Sequence, residues 1–208
     1  MLIIFDFDGV LRSISWEGIY GAYIEILRFK GKDYKEFFPN LQAFQKWFDS
    51  DYKKNLNKIV EIKHDEFEAV NAVYHAHYDH RVSLFPWVDD LLKELSSRHT
   101  LALLSASSSE SVRKSLGDLS RFFPMLLGSD HVKEIKPDPE GIHLIMKKEK
   151  SVPENTLIIG DTEVDILAGK SAGIKTGAVK WGGITPWEIL MDLKPDYAFH
   201  EPEELFSL

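Results

Sequence analysis

Two aspartates one residue apart, Asp6 and Asp8, close an apolar run at the start of the sequence, and a second acidic pair, Asp161 and Asp165, closes another run far along it. Between them lie Ser105, at the end of a third apolar run, and Lys136, in front of a Pro-Asp-Pro segment. Clustered carboxylates repel one another unless a proton or a cation neutralises them. A donor set of oxygens alone suits Mg²⁺, which takes a few carboxylates together with substrate phosphate. One member of the first pair can attack while the other handles protons, provided that a metal offsets the charge of the attacker. Ser105 offers a hydroxyl and Lys136 a compact cation, and both suit a phosphoryl group whose charge spreads over its oxygens. Gly9, directly after the first pair, lets the backbone turn sharply away.

These residues can act together only if the fold gathers them. Leu2 to Phe7 reads as a central strand buried on both faces. Further strands are predicted at 101–104, 125–127, 156–159, 176–179 and 197–199. Helical patterns separate them. Val88, Leu91, Leu92 and Leu95 form one apolar stripe, and Ser107 and Glu110 have capping-box spacing for a helix through Leu116. Asp138 is placed to cap a helix with Pro139 in its first turn, and Gly173 is placed to end a helix begun near Glu163. Strand alternating with helix implies a parallel sheet covered on both faces. In such sheets ligands gather at the carboxyl ends of the strands, where both aspartate pairs and Ser105 fall.

From residue 13 to 83 the texture changes. Trp16, Ile19, Tyr20, Tyr23 and Leu27 recur at helical spacing, as do Phe67, Val70, Val73, Tyr74 and Tyr78, and Pro39 starts or breaks one helix. The expected organisation is a Rossmann-like α/β core, residues 1–12 and 84–208, with an all-helical domain, residues 13–83, inserted after the first strand.

The chain has 208 residues, a formal net charge of −8 and no cysteine. The charge argues against general nucleic-acid binding, which runs on cationic surface. Without cysteine there are no disulfides, zinc–thiolate sites or cysteine nucleophiles, and a reducing cytoplasm is the expected location. No apolar run is long enough to cross a bilayer. The segment from Met1 to Phe5 is read as a buried strand rather than a signal peptide, because no basic residue precedes it and Asp6 ends it.

At the chemistry-bearing residues the sequence resembles the haloacid dehalogenase superfamily of phosphohydrolases, in the subclass with a helical cap inserted after the first motif. Asp6-Phe7-Asp8-Gly9-Val10 is similar to the first motif, Leu104-Ser105 to the second, Lys136-Pro137-Asp138-Pro139 to the third, and Gly160-Asp161-Thr162-Glu163-Val164-Asp165 to the fourth. The resemblance implies Asp6 as nucleophile, forming an aspartyl-phosphate, and Asp8 as the acid and then the base. It implies Ser105, Ala106, Lys136 and Gly9 around the phosphoryl group, with Lys136 restraining Asp6 and Asp161. Mg²⁺ would be held by Asp6, the backbone carbonyl of Asp8, and Asp161, with Asp165 acting through water or orienting the site. Dehalogenases of the family lack an acid at the position of Asp8, because a halide leaves without a proton, so this sequence favours phosphate esters.

The implied activity is a Mg²⁺-dependent phosphatase for a small phosphorylated metabolite, of the phosphoglycolate or sugar-phosphate kind, working as a monomer or homodimer. The alternative is a phosphomutase of the β-phosphoglucomutase type, since Ser105-Ala106-Ser107 resembles that branch. A non-enzymatic binding module would show a degraded motif, and none is degraded. Arg12-Ser13 departs from the Asp-Ser common at this point in phosphoglycolate phosphatases, and Arg12 is a candidate for drawing an anion to a chain of negative charge. Outside the motifs, His75, His77, His80 and Asp79 are read as a solvated helix end rather than a metal site. Trp16 and Tyr20 are candidates for substrate contact, Ser107 is read as a helix cap with a ligand role as the alternative, and Trp181-Gly182-Gly183 as a turn beside the catalytic edge.

Overall fold

The computed structural model describes residues 1–49, 52–62 and 66–208. Two compact units are present, one formed by Met1–Ser13 with Leu84–Leu208 and the other by Ile14–Ser83. In the first, six strands form one parallel sheet: β1 Leu2–Phe5, β2 Thr100–Leu104, β3 Met125–Leu127, β4 Thr156–Gly160, β5 Lys175–Val179 and β6 Tyr197–Phe199. Their order is β3-β2-β1-β4-β5-β6. β1 is central, with Leu2 opposite Thr100 on one side and Thr156 on the other. Its four apolar residues are all buried, as expected for a strand covered on both faces. The side chains of Ile3 and Phe5 join one core layer and those of Leu2 and Ile4 the other, the period-2 alternation of a strand.

Among the described residues the second unit has the helices α1 Trp16–Phe29, α2 Leu41–Trp47, α3 Tyr52–Ile59 and α4 Phe67–Tyr78. The side chain of Ser15 caps α1 by accepting from the Gly18 N–H at 3.0 Å, and α1 packs along α4. Phe44 lies at the centre, in ring contact with Trp16, Tyr20, Tyr23, Phe38, Trp47 and Phe48. Pro39 precedes the Asn40 cap of α2.

Helices α5 Val88–Ser96, α6 Ser109–Leu116, α7 Glu140–Glu149, α8 Glu163–Ser171 and α9 Trp187–Asp192 belong to the first unit. Val88, Leu91, Leu92 and Leu95 are buried along one side of α5, and Gly173 follows α8 with φ +70°. Two helices begin one residue later than the sequence suggests. The cap of α6 is Ser108, not Ser107, for a reason given below. Pro139 stands in the cap position of α7, while Asp138, one residue ahead, still supplies a capping bond by accepting from the Glu140 N–H at 2.9 Å. The first strand stops at Phe5 rather than Phe7, since the chain curls back at Gly9, whose φ is +83°. Among the described residues no helix is long and apolar enough to cross a membrane.

Candidate active site

Asp6 leaves β1 with its N–H still bonded to the Ile159 carbonyl at 2.9 Å, which sets it beside the end of β4 and the acidic loop that follows. The Lys136 Nζ donates to Asp6 Oδ1 at 2.5 Å, Asp165 Oδ1 at 2.7 Å and the Leu104 carbonyl at 2.9 Å. Three acceptors match the three protons of an ammonium. The restraint on Asp161 implied by the family resemblance is therefore replaced by one on Asp165. Asp165 sits in the first turn of α8, where its Oδ2 accepts from the Thr162 N–H at 3.1 Å and hydroxyl at 2.6 Å. That grip turns Oδ1 toward the lysine.

Asp161 has no such partner. It is 1% exposed, and neither carboxylate oxygen meets a donor. One oxygen from each of Asp6, Asp161 and Asp165 lies within 4.8 Å of the others. Burial pushes Asp6 up to about 7, opposed by Lys136 and reinforced by Asp165 and Asp8. Burial, then Asp6 and Asp165, hold Asp161 well above the usual carboxylate range. Burial also works against the charge on Lys136, but Asp165 and Asp6 outweigh it and keep the ammonium above the usual lysine range. One cation against three buried carboxylates leaves a deficit of positive charge, and orphaned buried oxygens need a partner. The all-oxygen set fits a hard divalent cation such as Mg²⁺. Two glycines make room for the Asp161 side chain. A Cβ on Gly9 would lie 2.2 Å from Asp161 Oδ2, and one on Gly182 would lie 2.2 Å from the Asp161 Cβ. Trp181, before Gly182, donates from Nε1 to the Val10 carbonyl at 3.2 Å, so this turn braces the acidic loop.

Asp8 lies outside that cluster, in a different setting. Arg12 donates from Nε to Asp8 Oδ1 at 2.7 Å, and its Nη2 is 2.6 Å from the same oxygen. The Ser107 hydroxyl donates to Asp8 Oδ2 at 3.2 Å. This is why Ser107 does not cap α6: its side chain is turned to Asp8, and Ser108 accepts from the Ser111 N–H in its place. Ser105 is buried at the end of β2, and its hydroxyl accepts from the Ser107 N–H at 3.0 Å. Ala106 is exposed between them. The loop is pinned from β3, where Ser129 donates to the Ser107 carbonyl and Asp130 accepts from both the N–H and the hydroxyl of Ser109 at 2.7 and 2.6 Å.

The sequence reading favoured a cap over a site role for Ser107, set Gly182 in a turn beside the catalytic edge without linking it to Asp161, and gave Arg12 no partner. Asp8 and Arg12 are four apart with opposite charge, a signal usually reserved for helices. The remaining candidates belong to the helical unit. His75 Nδ1 is 3.3 Å from Asp79, and no metal-type grouping of histidines forms among the described residues. Trp16 packs edge-on against Phe48, and the Tyr20 hydroxyl donates to the Phe38 carbonyl at 3.1 Å, so both serve the core of the helical unit.

A parallel sheet that carries two aspartates after its central strand, two more after the adjacent strand and a lysine bonded to both groups defines a class of hydrolase. Residues 3–179 match the haloacid dehalogenase-like hydrolase family, and the chain belongs to it. It is 30% identical to pyrophosphatase PpaX of Oceanobacillus iheyensis, covering 99% of this chain and 95% of that one. It is 31% identical to a phosphoglycolate phosphatase of Aquifex aeolicus, over 100% of this chain and 95% of that one. A haloacid dehalogenase-like hydrolase, SP0104 of Streptococcus pneumoniae, superposes with a TM-score of 0.76 at 26% identity, covering 99% of this chain and 96% of that one.

Proposed function

We propose that the chain is a Mg²⁺-dependent phosphatase of small phosphorylated metabolites that works through an aspartyl-phosphate on Asp6. The observation that carries this is the pair of orphaned, buried Asp161 oxygens beside Asp6 and Lys136. Such a hollow demands a cation next to a nucleophile. Bound by Asp6 and Asp161, Mg²⁺ would offset the charge between an anionic attacker and an anionic substrate.

The chain's own residues do the rest. A carboxylate oxygen of Asp6 bonds to phosphorus as the bond from phosphorus to the leaving oxygen breaks, and Asp8 gives that oxygen its proton. Water then attacks the aspartyl-phosphate, losing a proton to Asp8, and phosphate leaves with Asp6 restored. Lys136 fixes the plane of the Asp6 carboxylate, and Ser105 with the Ala106 backbone offers donors to the phosphoryl oxygens. The named relatives hydrolyse an anhydride in one case and an ester in the other, so pyrophosphate and phosphoglycolate head the candidate substrates. Residues 13–83, inserted directly after the Asp6 loop, are assigned the role of a cap that sets specificity, and the absence of cysteine supports a cytoplasmic setting.

The test is phosphate release from a panel of phosphorylated metabolites with Mg²⁺ present, comparing wild type with Asp6→Asn. The variant should fold, by circular dichroism, and show no steady-state turnover. Retained turnover would remove Asp6 as the nucleophile.

A further inference from the structure

Arg12 is 1% exposed and among the largest side chains buried in the molecule. A buried guanidinium is costly unless its donors are matched. Here Nε donates to Asp8 Oδ1, Nη2 lies 2.6 Å from the same oxygen as an ion pair without hydrogen-bond geometry, Nη1 donates to the Ser115 hydroxyl on α6 at 2.9 Å, and the plane lies over the Phe7 ring at 4.7 Å from its centroid. The backbone closes the same loop, with the Gly9 N–H on the Arg12 carbonyl at 2.7 Å and the Arg12 N–H on the Phe7 carbonyl at 3.0 Å. The guanidinium is thus fixed on three sides, and the Asp8 carboxylate is fixed to it.

We propose that Arg12 is a positioning residue for the proton-handling carboxylate: it occupies Asp8 Oδ1 and leaves Oδ2 as the oxygen that exchanges a proton with the leaving group. This rests on the assignment of Asp8 as acid and base. Arginine keeps its protons throughout, so Oδ1 faces N–H donors at every stage and has no room for a proton of its own. Oδ2 meets only the hydroxyl of Ser107 among its described hydrogen-bond partners, and a hydroxyl rotates to donate or accept as the proton comes and goes. Lysine cannot replace the planar fork, because one ammonium cannot reach both Asp8 and Ser115 while lying flat on Phe7.

The experiment compares kcat/KM for phenyl phosphate and p-nitrophenyl phosphate, both with Mg²⁺. The two have nearly one shape but differ in how much the departing oxygen needs a proton. kcat/KM reports transfer to Asp6 and not the later hydrolysis. Asp8→Asn should lose ~10²-fold or more on phenyl phosphate and clearly less on the nitro compound. Arg12→Met should show the same selectivity, about tenfold between the substrates, and adding it to Asp8→Asn should bring no further selectivity. Arg12→Lys should show a smaller loss of the same kind, and it decides the matter if Arg12→Met melts below the assay temperature. Equal losses on both substrates in the Arg12 variants, with Asp8→Asn selective, would overturn the positioning role alone. An unselective Asp8→Asn would overturn the assignment of Asp8 beneath it.

Discussion

Two groups of acids flank the end of β1, and they are neutralised in opposite ways. At Asp6, Asp161 and Asp165, three buried carboxylates share one ammonium, and two oxygens are left with nothing. At Asp8, one half-buried carboxylate is matched by one arginine, and each of its oxygens has a donor. In the first group the protein alone supplies too little positive charge, which is the basis of the proposed cation. The second is complete as it stands, as a group must be if it is to hold a fixed direction while a proton moves. Charge deficit marks the place for a ligand, and charge balance marks the place for geometry.

The largest effect expected from this contrast falls on Asp161. Asp161→Asn removes one of the repelling charges and replaces one orphaned oxygen by an amide nitrogen that can donate to the neighbouring carboxylates. Turnover should vanish, and Mg²⁺ should no longer raise the unfolding midpoint. In wild type a Mg²⁺ concentration one hundredfold above Kd adds about 2.7 kcal/mol. In chelator the order should invert, with the variant melting above wild type, because burial and its acidic neighbours penalise the native aspartate. A variant that melts below wild type in chelator and keeps its response to Mg²⁺ would break the contrast.

Acidity gives a second, smaller effect. Asp6 titrates near 7 in the fold against 3.8 when free, so between those values the folded chain holds a proton that the unfolded chain has lost. Stability in chelator should therefore fall as pH rises from about 4 through about 7, by at most ~4 kcal/mol. Asp6→Asn should flatten the slope, and Mg²⁺ should flatten it in wild type by keeping the carboxylate ionised. Urea melts across this range measure it. A wild-type slope in chelator that is flat or rising would remove the uncompensated cluster.

The sheet was legible because each strand is a short apolar run read by burial alone, and the acids at the strand ends were legible because topology carries such positions to one edge. The partners were not. Lys136 pairs with Asp165 rather than Asp161 because Thr162 turns the Asp165 carboxylate, a detail of the first turn of α8. Gly182 matters through the space it leaves for Asp161, and no spacing rule places those two residues together. Helix α9 is short and irregular in pattern, and the sequence reading passed over it.

The finest distinction concerns three consecutive serines. Capping-box spacing favours Ser107, yet in the fold Ser108 accepts from the Ser111 N–H at 3.3 Å while Ser107 reaches Asp8. Each removal should be felt in a different measurement. Ser108→Ala loses a cap, worth about 1 kcal/mol, and for a chain of this size that lowers the melting temperature by roughly 2–4 °C with kcat/KM nearly unchanged. Ser107→Ala leaves the cap intact, so the melting temperature should hold. It removes the hydroxyl's hydrogen bond to the oxygen proposed to handle the proton, worth about 1 kcal/mol or somewhat more, which is roughly a fivefold loss in kcat/KM if the bond matters as much in the transition state. The loss should be greater for phenyl phosphate than for p-nitrophenyl phosphate, since on the proposed roles the former depends more on a proton from Oδ2. If the two serines exchange these signatures, the cap belongs to Ser107 after all, and Asp8 is held by Arg12 alone.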